Sequence, residues 1–161
     1  MDTENYFLRV EFLEEFEVVG FADEVSMAHF TPEKVWGKLM KSIAGNGDNK
    51  YAHFYDVNIY DVDYFQNYQA EKTFIKFAGV KSNQEELTST KMESLTIPKG
   101  HYAVFTHVGN KSEIGNTFKF IFSKWLPESG YKIDARPHFM ILPSIAIKNV
   151  NYKEEIYIPL K

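Results

Sequence analysis

The feature that most constrains how this chain can fold is an order of elements that occurs twice. Hydrophobic spacing predicts a strand at 16–22, a helix at 31–45, and two further strands at 53–60 and 73–80. The same order of strand, helix and two strands is predicted again at 101–160. Two such β-α-β-β units predict an α+β fold. It has one curved, mostly antiparallel sheet, with both helices on one face and a ligand cleft at the seam between the halves.

The repeat also sets the expected domain boundaries. The chain has 161 residues, the length of one domain, so residues 1–161 are predicted to form a single unit. The first repeat covers about 6–81, a polar connector covers 82–96, and the second repeat covers about 97–161. The second helix is expected at 112–126, because apolar residues recur there at helical spacing.

Composition excludes several classes of function. The chain has no cysteine, which removes thiol catalysis, disulfides and thiolate metal sites. Its net charge is −4, from 18 basic and 22 acidic residues, and this balance argues against direct binding to nucleic acid. The acidic start does not resemble a secretion signal, and no apolar run approaches the roughly 20 residues that span a bilayer. We therefore predict a cytoplasmic protein that does not enter a membrane.

No motif for a cofactor or a metal is present in the sequence. The 5 histidines do not have the spacing of metal ligands. The sequence lacks a glycine-rich phosphate loop, a dinucleotide fingerprint and a Gly-x-Ser-x-Gly nucleophile elbow. These observations predict that the protein uses neither a bound metal nor an organic cofactor.

Aromatic residues are unusually frequent, with 14 Phe, 10 Tyr and 2 Trp. Trp36 and Trp125 lie on apolar helix faces, where they can pack in the core or reach a cleft. Four tyrosines crowd the region between the first helix and the third strand: Tyr55, Tyr60, Tyr64 and Tyr68. Some of these are expected in pocket walls and the others at the surface. The alternation at 101–108 does not say which of its faces lines the cleft, and His107 there is expected to be structural or exposed.

The last strand alternates clearly between two faces. Its aliphatic residues are Ile156, Ile158 and Leu160, and this face is expected to pack on the helices. Glu155 and Tyr157 share the other face, which we predict to be the cleft. From the sequence pattern alone, a solvated carboxylate at the start of a strand is the favoured interpretation of Glu155.

Several motifs resemble one known family, the GyrI-like, AraC-type effector-binding proteins. The stretch Ile97–Phe105 (IPKGHYAVF) is similar to the family's strand signature, and Trp125–Tyr131 (WLPESGY) is similar to its helix end. Arg136–Phe139 (RPHF) and Glu155–Lys161 (EIYIPLK) resemble its last two strands. The resemblance covers nearly the whole chain and is weaker before residue 70. It implies a small-molecule binding domain in which Glu155 is the carboxylate at the floor of the pocket.

The chain departs from the family pattern at two points. Met140 and Leu142 stand where the family strand usually carries Glu and Tyr, so a polar ligand contact given there elsewhere is missing. The sequence also shows no helix-turn-helix region, which makes it similar to the stand-alone members and not to the regulators with a DNA-binding domain.

Together, these observations predict a protein that binds a small aromatic or lipophilic cation, as a stand-alone effector-binding or sequestering protein. The predicted ligand contacts are Glu155, Tyr157, Trp125, Phe139, Tyr55 and Trp36. Two alternatives remain open. The resemblance allows a hydrolase of electrophilic small molecules that uses the pocket glutamate, and it allows a protein that binds DNA gyrase or a regulator. We expect a binding protein more than an enzyme.

Overall fold

A computed structural model describes residues 6–43, 53–81, 91–109, 113–143 and 152–161. The strands are β1 (Phe7–Leu13), β2 (Phe16–Ser26), β3 (His53–Ile59), β4 (Thr73–Lys81), β5 (Glu93–Ile97), β6 (Gly100–Gly109), β7 (His138–Pro143) and β8 (Tyr152–Leu160). The helices are α1 (Glu33–Ile43), α2 (Ile114–Phe120), a π-helical turn (Ile121–Trp125) and α3 (Leu126–Ser129). The helix α2, the π-helical turn and α3 follow one another without a break and form one continuous helical rod.

The strands form one antiparallel sheet in the order β1-β6-β8-β7-β3-β4-β2-β5. The predicted α+β architecture is confirmed, because β2-α1-β3-β4 and β6-α2-β7-β8 repeat one element order in the chain. Two strands were not predicted. The first, β1, carries polar side chains at alternate positions and lies at one end of the strand order. The second, β5, occupies part of the predicted connector, and residues 82–90 of that connector lie outside the described residues.

The halves of the sheet are joined at the centre of the strand order, where β3 pairs with β7. The chain passes from β1 to β2 after two residues and from β5 to β6 after two residues. Leu13 pairs with Gly100, and Phe16 pairs with Ile97, so β1 and β2 pair with β6 and β5 in one register at the two ends of the strand order. The sheet has two unlike faces.

The face away from the helices, which we call the inner face, is a closed core. Tyr102 is 0% exposed there, and Tyr157 is 4% exposed. The inner-face cluster contains Val18, Tyr55, Val57, Phe77, Ile97, Tyr102, Val104, Phe139 and Tyr157. Because the sheet curves around these side chains, they fill the space that a cleft on this face would need.

The other face, which we call the helix face, carries α1 and α2 side by side, as predicted. Val35 and Leu39 of α1 pack with Val19 and Val80 of the first half. Ile121, in the π-helical turn, packs in a second cluster on the other half: Ala103, Phe105, Met140, Leu142, Ile156, Ile158 and Leu160. The amphipathic faces of the two helices are therefore satisfied by two separate clusters, and a gap remains between them.

Candidate ligand-binding site

A cavity of about 910 Å³ lies between the helix face of the sheet and the two helices. This is within the range of small-molecule sites in proteins. Its walls come from both halves of the chain, and they are mainly apolar and aromatic. The aromatic lining includes Phe30, Trp36, Tyr60, Tyr64, Phe65, Tyr68, Phe118 and Phe122. Their ring faces offer large contact area to an apolar ligand and negative potential to a cation.

One end of the cavity is an aromatic stack that joins the halves. Phe65, from the turn after β3, stacks on Phe122 of the π-helical turn with ring centroids 5.9 Å apart. Phe65 also stacks on the His138 ring at 5.8 Å, and Tyr60 meets that ring edge-on at 5.0 Å. Burial lowers the pKa of His138 to about 3, so its imidazole is neutral at physiological pH. This end of the cavity therefore carries no histidine charge.

Glu154 places a carboxylate in the cavity wall. Its residue is 2% exposed, and it shares the helix face of β8 with Ile156 and Ile158. It pairs across the strands with His107, whose Nδ1 lies 2.8 Å from the Thr117 hydroxyl of α2. A carboxylate that is buried to this extent has lost much of its hydration.

A second carboxylate, Asp56, lines the same cavity but is paired within it. Lys76 Nζ lies 2.7 Å from Asp56 Oδ1, and the Trp36 indole N–H donates to Asp56 Oδ2 at 3.1 Å. Among the described residues that line the cavity, Lys76 is the one lysine or arginine. Asp56 is thus held by an ion pair and by an indole N–H, and Glu154 is the other buried carboxylate of the cavity lining.

The structure brings two of the six predicted contacts to this cavity. Trp36 lines it through the α1 face, as the helical spacing suggested. Phe139 also contributes to its wall, although its ring stacks on Tyr157 of the inner face with centroids 4.6 Å apart. Among the four tyrosines named from the sequence, Tyr60, Tyr64 and Tyr68 belong to the lining. Their aromatic crowding in the sequence was therefore a useful signal.

The other four predicted contacts lie elsewhere. Glu155 faces the inner side of the sheet, where the Tyr157 hydroxyl donates to its Oε1 at 3.0 Å. Arg9 Nη1 lies 3.5 Å from the second carboxylate oxygen of Glu155. Burial, together with the neighbouring Glu155 charge, raises the pKa of Tyr157. Glu155 and Tyr157 thus form a local polar cluster with Arg9 outside the cavity.

Trp125 and Tyr55 are engaged in packing. Trp125 stacks on Phe7 at 5.1 Å and meets Phe105 edge-on at 4.9 Å, so its indole anchors the helical rod to β1 and β6. Tyr55 belongs to the inner face and approaches the Phe16 ring at 5.8 Å. Neither side chain is part of the cavity lining.

The predicted surroundings of Glu155 differ from the observed ones for one physical reason. The predicted alternation of β8 is right, since Ile156 and Ile158 do face the helices. The cleft was predicted on the opposite face, whereas the structure has a packed core on that side and a cavity under the helices. One signal pointed there: Met140, at a position where the family carries a polar residue, pairs with Ile156 and lines the cavity. Asp56, Lys76, His138 and Glu154 were missed because their convergence depends on strand pairing.

Comparison with known proteins identifies the family of this chain. The sequence profile of the GyrI-like small molecule binding domain matches residues 7–161, nearly the whole chain. The chain belongs to this family. It is therefore a GyrI-like small-molecule binding domain, and the predicted resemblance is confirmed. A search of curated proteins finds no match at a significant level.

Solved structures with the same GyrI-like fold include ligand-binding and regulatory proteins. SAV2435 bound to tetraphenylphosphonium aligns with a TM-score of 0.71 and 13% identity, over 96% of this chain and 93% of that one. The C-terminal domain of EcmrR aligns with a TM-score of 0.63 and 13% identity, over 96% and 98% of the two chains. A hydrolase from Listeria innocua aligns with a TM-score of 0.61 and 13% identity, over 99% and 94%. At this identity the likeness establishes the fold alone.

Within the residues that the structure describes, no helix has the length and apolar character needed to cross a membrane. In the same ranges, no group of three or more histidine, aspartate or glutamate side chains is placed to hold a metal ion.

Proposed function

We propose that this protein binds a lipophilic organic cation in the cavity under the helices, with Glu154 as the counter-charge. The observation that carries the proposal is a carboxylate, 2% exposed, in a cavity of about 910 Å³ with aromatic walls. A cation over a good aromatic face gains roughly 0.5–2 kcal/mol per contact. The charge interaction with a desolvated carboxylate adds to this, and a neutral ligand of the same shape does not gain from it.

The comparison proteins support the proposal by their chemistry. SAV2435 binds tetraphenylphosphonium, a bulky aromatic cation, on the same fold. EcmrR, a protein that has been solved in complex with DNA, has this fold in part of its chain. We therefore infer that this chain acts as an effector-binding or sequestering protein, and that its physiological ligand shares the charge and aromatic character of tetraphenylphosphonium.

Calorimetric titration of two adjacent glutamate variants tests this function. The ligands are methyltriphenylphosphonium and neutral triphenylphosphine oxide, which have similar shapes. Glu154→Gln should weaken binding of the cation by at least about tenfold, or ~1.4 kcal/mol, and leave the neutral ligand nearly unchanged. Glu155→Gln removes the same charge from the opposite face, so it is the matched control and should bind both ligands like the original chain.

Two outcomes would contradict the proposal. If Glu155→Gln weakens cation binding and Glu154→Gln does not, the ligand binds on the inner face and not in the cavity. If the original chain binds the neutral compound as tightly as the cation, the Glu154 charge has no part in recognition. Circular dichroism of both variants checks that any lost binding is not lost folding.

A second candidate function is hydrolysis of an electrophilic small molecule. The pairing of Glu154 with His107 favours it, since a carboxylate near an imidazole can activate water. The Listeria innocua hydrolase shares the fold. Incubation with a strained electrophile such as an aryl epoxide, followed by mass spectrometry, separates the two functions. Turnover should add one water to the compound and should disappear in Glu154→Gln, whereas a binding protein returns the compound intact.

The predictions about macromolecular partners remain predictions. We expect no direct binding to duplex DNA because of the net charge of −4. A protein partner such as DNA gyrase or a regulator would be tested by pull-down.

A further inference from the structure

The buried ion pair between Asp56 and Lys76 has the composition of an occupied cation site. The ammonium of Lys76 lies 2.7 Å from Asp56 Oδ1 and 5.2 Å from the centroid of the Phe30 ring. The side chain of Lys76 is 4% exposed, so this cation is almost fully desolvated. A carboxylate combined with an aromatic face is also the arrangement proposed above for the ligand.

Stability alone is a poor explanation for such a pair. Taking two charges out of water costs about as much as their attraction returns, so buried ion pairs are often neutral for stability compared with apolar residues. Lys76 and Asp56 are both in the cavity lining, as is Phe30 at 44% exposure. The pair therefore lies in a place where it acts on whatever enters the cavity.

Asp56 and Glu154 are well separated within the cavity. Asp56 pairs with Met140, and Met140 pairs with Ile156, two residues beyond Glu154 in β8. Two strand spacings across the sheet and two residues along a strand put the Cα atoms of Asp56 and Glu154 about 12 Å apart. One small cation cannot neutralise both carboxylates directly at such a separation.

We propose that the cavity contains two buried anionic subsites, besides the water-exposed Glu33 in its lining, and that Lys76 permanently occupies the one formed by Asp56, Phe30 and Trp36. Its ammonium takes the position that a second positive charge of a ligand would need. The protein therefore selects ligands with a single positive charge, which Glu154 receives. This inference rests on the proposed function, because it assumes that cations bind at Glu154.

The test compares two ligands that differ by a second trimethylammonium group. One is an octane chain with a trimethylammonium group at one end, and the other has this group at both ends. The Lys76→Gln variant removes the resident cation and keeps an N–H donor for Asp56, and Lys76→Met removes both. Calorimetric titration measures the ratio of dication to monocation affinity for each protein.

The original chain should bind the dication no more tightly than the monocation. In Lys76→Gln both affinities should rise, because a repelling positive charge is gone. The dication should gain at least about tenfold more than the monocation, since only it can reach Asp56 and Phe30 as well as Glu154. Adding Asp56→Asn to Lys76→Gln should abolish this extra gain, because the second carboxylate is then absent.

Several results would overturn the proposal. An unchanged ratio in Lys76→Gln would show that the pair is merely structural, as would a ratio that rises equally after Asp56→Asn is added. If neither variant folds, the original chain decides by itself, since a tenfold preference for the dication contradicts an occupied second subsite. Failure of the proposed function looks different, because the monocation and methyltriphenylphosphonium would then bind equally well to the original chain and to Glu154→Gln.

Discussion

Glu154 and Glu155 are neighbours in one strand, yet the two faces of the sheet give their carboxylates different surroundings. Glu155 lies beside Arg9 and Tyr157, with 32% of its side chain exposed to water. Glu154 is 2% exposed and lies in the wall of an aromatic cavity. Side chains fill the inner face as a packed core, whereas a cavity large enough for a ligand remains on the helix face. The carboxylate of Glu154 therefore borders that cavity, and the carboxylate of Glu155 does not.

The largest expected difference between the faces is in the cost of removing an aromatic ring. Phe77 is 2% exposed and packs in the inner-face cluster, so Phe77→Ala should lower the free energy of unfolding by about 3–5 kcal/mol. Phe118 borders the cavity and is only partly buried. Phe118→Ala should lower it by about 1 kcal/mol, because the ring already lacks neighbours on its cavity side.

Urea unfolding monitored by circular dichroism measures both values. Binding of methyltriphenylphosphonium should be weakened more by Phe118→Ala than by the inner-face variant, since Phe118 is part of the wall of the proposed site. Equal losses of stability in the two variants would mean that the two faces are packed alike.

Acid should act on the cavity side through His138. Burial lowers its pKa to about 3, compared with roughly 6.5 in the unfolded chain. The unfolded state therefore takes up a proton that the folded state resists, so this contribution to stability is complete above pH 6.5 and is lost as the pH falls toward 3. Between pH 7 and pH 5 the loss from this one group should be about 2 kcal/mol.

The difference between the original chain and His138→Gln isolates this contribution. The variant starts less stable, because its side chain cannot reproduce the contacts with Tyr60 and Phe65. Its stability should nevertheless fall less steeply between pH 7 and pH 5, since the carboxylates that titrate are common to both proteins. Parallel curves would show that the imidazole is not protected from protons in the folded state.

The smallest expected effect is that of the polar cluster on the inner face. The side chains of Arg9 and Glu155 are 42% and 32% exposed, so water screens their attraction. A double-mutant cycle with Arg9→Met and Glu155→Gln should give a coupling energy of about 0.2–1 kcal/mol in urea unfolding. A coupling well above this range would mean that the cluster is an organised site in its own right.

The sequence predicted the architecture better than the site, and β8 shows why. Period-two alternation identifies the two faces of a strand, and it correctly placed Ile156 and Ile158 toward the helices. It contains no information about which face the rest of the sheet will fill. Which face is filled depends on how strands that are distant in the sequence pair with one another. That pairing brings the ring of Phe16 in the first half against the ring of Phe139 in the second. Such a contact cannot be inferred from local patterns.

The same limit explains why Lys76 was not recognised. In the sequence it is one lysine within a run of apolar residues, Thr73–Val80, and nothing local distinguishes it from a solvated side chain on a strand. The role of Lys76 depends on Asp56, which is twenty positions away in the chain. The two residues are close in the sheet because Lys76 pairs with Asn58, two positions from Asp56 in β3. Trp36 was easier to predict, because an apolar helix stripe already indicates which side faces inward.

The pairing of β3 with β7 also limits how the protein can adapt to ligands of different size. Separating the halves would break the backbone hydrogen bonds between these strands, from His53–Pro143 to Asn58–His138, so the sheet cannot open as two hinged plates. Room for a bulkier molecule must come from the roof of α1, the π-helical turn and the Phe65 turn, where Phe65 and Phe122 meet through their rings. We therefore expect hydrogen exchange on ligand binding to slow in these roof elements while the exchange of β6 and β8 stays constant.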